Sequence, residues 1–132
     1  VLSGNRVGLG IGMGWMEEEF EAMGAAFAKR GKRADEMLEV LRKLWTGEIV
    51  EHHGEFYAVP RSRVEPKPVQ SPHPPILIGG GGEKRTLKIT AKYADGWNVP
   101  FIAPEAFAHT RSVLAEHCVK EGRDLLRTAL RI

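Results

Sequence analysis

Val7-Gly-Leu-Gly-Ile-Gly-Met-Gly-Trp15 sets glycine at positions 8, 10, 12 and 14, alternating with Val7, Leu9, Ile11 and Met13. Side chains of a β-strand point alternately to its two faces. The stretch therefore predicts a strand over 6–13 with one apolar face and one bare face. Glycine in a strand gives up packing and backbone entropy. Two readings account for that cost: another backbone or helix packs tightly on the bare face, or a flat ligand approaches it. A second glycine run, Gly79–Gly82, favours the ligand.

Downstream of this strand, Met16, Phe20, Met23 and Phe27 recur at helical spacing. They predict a helix that opens on Glu17, Glu18 and Glu19, where the helix dipole favours negative charge, and ends at Gly31. Residues 33–46 carry a second apolar helical face of Ala34, Met37, Leu38, Leu41, Leu44 and Trp45, closed by Gly47. Ile49-Val50 and Phe56–Val59 flank His52-His53-Gly54-Glu55 and predict a β-hairpin turning near Gly54. Adjacent histidines on a strand point to opposite sides and suit one metal poorly, so they are read as part of a surface turn. No metal site is expected.

Pro60 to Pro75 holds six prolines, at 60, 66, 68, 72, 74 and 75, and predicts an extended surface connection. It delivers the chain to Ile76-Leu77-Ile78, a short apolar run suited to a strand buried on both faces. Gly79–Gly82 follows, then a helix over about 83–94 with Lys84, Lys88 and Lys92 on its exposed face. Next come a strand over 96–99 and a helix from Pro104 to Gly122, with Phe107, Leu114 and Cys118 inward. A further strand is expected over 127–132. Buried strands alternating with helices predict an α/β fold with parallel strands.

Composition narrows the function. The 132 residues are 42% hydrophobic and 27% charged, with a formal net charge of +2. Basic and acidic residues are intermixed, which argues against a nucleic-acid partner. No apolar run approaches a membrane span. Cys118 is the sole cysteine, which excludes an internal disulfide and fits a reducing, cytoplasmic location. Its apolar neighbours Val113, Leu114 and Val119 make it a buried structural thiol. Because the sequence opens on Val1 and stops within a strand-like run, it is read as an interior piece of a longer chain.

Four glycines between a buried strand and a helix are what an anion site at a helix N-terminus requires, with Lys84 and Arg85 close by in sequence. The run lacks the Gly-Lys-Ser/Thr ending of a Walker loop. The strict alternation of GLGIGMG likewise does not fit the G-x-G-x-x-G dinucleotide fingerprint. The alternative reading of Gly79–Gly82 is a plain strand-to-helix turn.

Leu2-Ser3-Gly4-Asn5-Arg6-Val7 leads into GLGIGMGWMEEEFEAMG (8–24). It is followed by RGKRADEMLEVLRKLWTGE (30–48), HHGEFYAV (52–59), PPILIGGGG (74–82) and ADGWNV (94–99). Together these resemble the luciferase-like monooxygenase family, most of all its branch using the deazaflavin F420. The resemblance implies a TIM (β/α)8 barrel, of which residues 1–132 form a single partial domain. They would cover approximately the fourth to seventh strands, with an insertion of hairpin and proline-rich connection over about 48–75. It implies an oxidoreductase or monooxygenase that moves a hydride to or from F420, or activates oxygen on reduced FMN, with a small organic substrate and a homo-oligomeric assembly.

The implied cofactor contacts are Gly12, Met13 and Gly14 near the ring, and Gly79, Gly80, Gly81 and Gly82 with Asn98, Val99 and Pro100 along the phosphate-bearing tail. Some F420-dependent relatives carry a catalytic Glu where Trp15 stands. No catalytic acid or base is assigned in this chain, and Asp95 is read as a turn or strand-start residue. The alternatives are a phosphate-binding, non-redox TIM-barrel enzyme of aldolase or isomerase type, and a piece inactive by itself. The non-redox class calls for a Lys, Asp or Glu at a strand end, which these strand ends lack.

Overall fold

A computed structural model of the chain describes residues 2–124 and the backbone of residues 129–130. The elements follow the expected order: β1 (Leu9–Gly12), α1 (Glu17–Ala22), α2 (Arg30–Thr46), β2 (Val50–His53), β3 (Ala58–Ser62), β4 (Ile76–Gly79), α3 (Thr86–Tyr93), β5 (Gly96–Asn98), α4 (Pro104–Lys120) and β6 (Ala129–Leu130). Of the strand expected over 127–132, residues 127–128 and 131–132 lie outside the described residues. By internal contacts the chain divides into two compact units, one of residues 1–7 and 14–74, the other of residues 8–13 and 75–132.

The second unit holds a four-stranded sheet in the order β1-β4-β5-β6, with every pairing parallel. Ile76 and Ile78, on one face of β4, are fully buried, whereas Leu77 on the other face is only partly buried, so the strand falls short of the burial on both faces expected from its sequence. Its core joins Leu87 and Ala91 of α3, Trp97 of β5, and Leu114 and Cys118 of α4. Cys118 is thus the buried structural thiol expected of it. Asp95 pins the amino ends of β4 and β5 together. Its Oδ2 accepts from the Ile76 amide at 2.9 Å, and its own amide donates to the Ile76 carbonyl at 2.8 Å. That is the strand-start role read from the sequence.

In the first unit the structure corrects one boundary. The helix expected to run to Gly31 stops at Ala22. Gly24 turns left-handed, with φ +65°, and its amide donates to the Glu21 carbonyl while the Ala25 amide reaches the Phe20 carbonyl. This closure satisfies the last carbonyls of α1 and leaves Met23 exposed instead of on a buried stripe. Gly31 falls inside α2.

The histidine pair is corrected too. His52 and His53 end β2 rather than forming the turn. The turn is residues 54–57, closed by the Gly54 amide on the Tyr57 carbonyl. Glu36 of α2 explains this register. Its carboxylate accepts from the Tyr57 amide at 2.8 Å, the Phe56 amide at 3.1 Å and His52 Nε2 at 3.1 Å. Burial raises the Glu36 pKa, but the Tyr57 amide, His52 and the Phe56 amide together hold it below the usual carboxylate range. No described helix is long and apolar enough to cross a membrane.

Candidate functional site

Parallel α/β sheets place their ligand sites outside the carboxyl ends of the strands. In the sheet of the second unit those ends fall side by side. Gly12 closes β1 opposite Gly79 of β4, and Gly79 lies opposite Asn98 of β5. Three of the residues singled out from sequence are thus brought into one row by strand register, although 86 positions separate the first from the last.

The bare face of β1 is open. An added Cβ at Gly10 or Gly12 would meet no heavy atom within 4 Å. Leu9 and Ile11 alternate with these glycines as partly buried positions. The packing reading required a neighbour against the glycines, and at Gly10 and Gly12 none is present among the described residues.

At Gly79–Gly82 the backbone is closely held. A Cβ on Gly79 would lie 2.9 Å from Asn98 Oδ1, one on Gly81 would lie 3.2 Å from Val99 Cγ2, and one on Gly82 would lie 2.9 Å from Thr86 Oγ1. Gly80 sits at φ +117°, a conformation that side-chain-bearing residues rarely adopt. Both of its polar groups are engaged by β5. The Gly80 amide donates to the Asn98 carbonyl at 2.9 Å, and the Gly80 carbonyl accepts from Trp97 Nε1 at 2.8 Å.

Trp97 is 1% exposed and stacks on Phe107 with ring centroids 5.5 Å apart. Its indole thereby fixes the loop from beneath. This role was not read from sequence; the signal was a buried tryptophan needing a partner for its N–H. Beyond the loop, Glu83 is gripped from α4. His109 Nε2 lies 3.0 Å from its carboxylate and His117 Nε2 lies 2.9 Å from its carbonyl oxygen. Lys84 and Arg85 are exposed beside the start of α3. The loop thus carries two exposed cationic side chains, Lys84 and Arg85, and the Glu83 carboxylate into the start of α3.

Past β5, Asn98 and Pro100 are exposed and Val99 is half-buried. In the first unit, Gly14 turns the chain as it leaves β1, with φ +76°. A Cβ there would lie 2.5 Å from Phe20 Cε2. Gly14 is therefore required by the turn and by the Phe20 ring, whatever else it touches. Trp15, the next residue, is 79% exposed.

The profile of the family described as luciferase-like monooxygenase matches residues 1–132. An uncharacterized protein of Mycobacterium tuberculosis is 49% identical over 96 residues, covering 73% of this chain and 32% of that protein. The FMNH2-dependent dimethylsulfone monooxygenase of Pseudomonas putida is 32% identical over 98 residues, covering 72% of this chain and 26% of the enzyme. Among solved structures, an F420-dependent secondary alcohol dehydrogenase bound to an F420–acetone adduct superposes with a TM-score of 0.85 at 22% identity. That match covers 98% of this chain and 39% of the dehydrogenase. The matched part of the chain thus spans about a quarter to a third of the length of these relatives. Its mixed α/β fold is that of these enzymes, and the relatives include both FMN- and F420-dependent oxidoreductases. The chain belongs to the luciferase-like monooxygenase family.

Proposed function

We propose that this chain supplies part of the cofactor site of an F420-dependent oxidoreductase acting on a small organic substrate. In this reading the sheet comprises approximately the fourth to seventh strands of a (β/α)8 barrel, and residues 48–75 are its insertion. The observation that carries the proposal is the row Gly12, Gly79 and Asn98 at the strand ends, continuous with the glycine loop that opens onto α3.

Bound F420 supplies hydride transfer; the protein supplies position and electrostatics. The open face at Gly12 admits a flat ring against the strand backbone, with Met13 next along the chain. Gly79 and Gly80 form the floor of the loop, held by Asn98 and Trp97. The amides of Gly81 and Gly82 and those that follow them donate to a phosphate, with Lys84 and Arg85 adding charge. Asn98, Val99 and Pro100 border the same tail.

Reduced FMN, with oxygen as co-substrate, is the second reading, favoured by the FMNH2-dependent relative from Pseudomonas putida. Both cofactors carry a phosphate, so one experiment addresses site and cofactor together. F420, FMN and their phosphate-free counterparts are titrated into the intact protein and followed by fluorescence. Charge-assisted hydrogen bonds contribute about 1.5–3 kcal/mol. The phosphate-bearing forms are therefore expected to bind roughly ten- to a hundredfold more tightly, F420 above FMN. Equal affinity with and without phosphate would remove the anion role of the glycine loop. Binding of neither ring would remove the proposed function.

A further inference from the structure

The residue that follows the glycine loop carries a negative charge where the proposed site takes an anion. The Gly82 carbonyl accepts from the Leu87 amide at 3.0 Å, so the turn into α3 opens at Gly82 and Glu83 is its first residue. A helix begins with amides that have no partner within it, and a carboxylate in the first turn is their natural local acceptor. Glu83 is such a carboxylate, yet the start of α3 has no side-chain cap.

Glu83 is committed to α4 instead. His109 Nε2 donates to its carboxylate at 3.0 Å, and His117 Nε2, about two turns further along, donates to its carbonyl oxygen at 2.9 Å. All three residues belong to the same compact unit. Stability does not explain the arrangement. The His109 and Glu83 side chains are 65% and 51% exposed, and a pair so exposed contributes little to folding. What the bond changes is where a negative charge stands: drawn to α4, it is off the amides that open α3.

We propose that His109 is a positioning residue that sets selectivity for phosphate. By holding the Glu83 carboxylate on α4, it keeps an internal anion from occupying the amides that open α3. Those amides, with Lys84 and Arg85, are left to a ligand phosphate. His117 fixes the Glu83 backbone from which the side chain departs. Histidine fits the task because a ring N–H donates to a carboxylate in both its neutral and its charged form. The inference rests on the reading of Gly79–Gly82 as a phosphate loop for the identity of the ligand, but not for the sequestration of Glu83 itself.

Two measurements on the intact protein separate these parts. The backbone amide resonances of Lys84, Arg85 and Thr86 are followed by heteronuclear NMR without ligand. In His109→Ala the released carboxylate is expected to move onto these amides and shift them downfield. In the double variant with Glu83→Ala the shift is expected to vanish. Unmoved amides in His109→Ala overturn the sequestration, as does a shift that persists in the double variant, which reports only loss of the imidazole.

FMN and riboflavin, and F420 with its phosphate-free counterpart, are then titrated into wild type, His109→Ala, His109→Gln, Glu83→Ala and the double variant. His109→Ala is expected to weaken the phosphate-bearing forms about two- to fivefold, the effect of one charge at a helix terminus, and to leave the phosphate-free forms unchanged. His109→Gln keeps a donor and is expected to restore most of the loss. Glu83→Ala is expected to bind at least as tightly as wild type, and adding His109→Ala to it is expected to change nothing. A grip that merely braces the loop predicts the opposite, a loss in Glu83→Ala as large as in His109→Ala. That result overturns the proposal, as do equal losses with and without phosphate. Equal binding of both forms by wild type overturns the anion role of the loop and the ligand half of this inference, leaving the amide resonances to judge the sequestration.

Discussion

Gly12→Val separates the two explanations of the glycine-rich strand, because they predict opposite signs for stability. A Cβ at Gly12 meets no heavy atom within 4 Å, and the residue pairs in regular parallel register with Gly79. The added side chain thus has room and a backbone conformation it favours. Glycine in a strand interior is less stable than alanine by roughly 0.5–1 kcal/mol, and a β-branched residue fits a pleated surface better still. The cofactor-free variant is therefore expected to be more stable than wild type by about 0.5–1 kcal/mol. A gain of that size raises the melting temperature by a few degrees at most.

Cofactor binding should move the other way. An isopropyl group standing on the bare face fills the layer where a flat ring would lie, and F420 affinity should fall by more than tenfold. Differential scanning calorimetry without cofactor and a fluorescence titration with it give both quantities on one preparation. A melting temperature lowered by several degrees would refute the reasoning, since it would mean that the face is packed by protein. Unchanged affinity would refute the ligand reading instead. Gly14→Val does not serve this purpose: the Phe20 ring and a φ of +76° make it destabilising on either view.

Trp97→Phe removes the indole donor to the Gly80 carbonyl and should destabilise the protein by about 1–3 kcal/mol for that unpaired group, with a further loss from the smaller ring. Urea denaturation measures it, and FMN should lose more affinity than riboflavin because the glycine loop is what loosens. Glu36 has a folded pKa below its ordinary value, so its contribution to stability is complete above about pH 4.5 and is lost as pH falls through the folded value. Glu36→Gln should therefore lower stability at neutral pH and flatten the acid limb, with faster amide exchange at Phe56 and Tyr57; an acid limb identical to wild type would sink the assignment.

Much of the architecture was legible from local pattern. Alternation with period two marked β1, the apolar triplet Ile76–Ile78 marked a buried strand, and glycine and proline marked the connections. These signals are local because hydrophobic periodicity reports directly on which face is buried. Legibility failed where a boundary depended on a bond to something distant. The stripe from Met16 to Phe27 kept helical spacing through Gly24, yet the chain closes α1 there through the Phe20 and Glu21 carbonyls. His52 and His53 fell in strand rather than turn because Glu36, sixteen residues before His52, takes the Phe56 and Tyr57 amides.

The sequence by itself determined that this is an α/β chain of parallel strands with two glycine-rich segments. It could name Gly12 and Gly79 because glycine in a strand, and glycine before a helix, are costly choices that call for a cause; Asn98 came only from the resemblance to the family. Only the tertiary structure decided that these three stand in one row, since strand order and register are set by pairing between segments far apart in the chain. It alone distinguished among glycines that look equivalent in sequence: Gly12 faces open space, Gly14 is filled by Phe20, and Gly80 has both polar groups bound by β5. Composition and spacing record how often a residue type recurs, whereas the atoms around each copy are fixed only once distant segments have met.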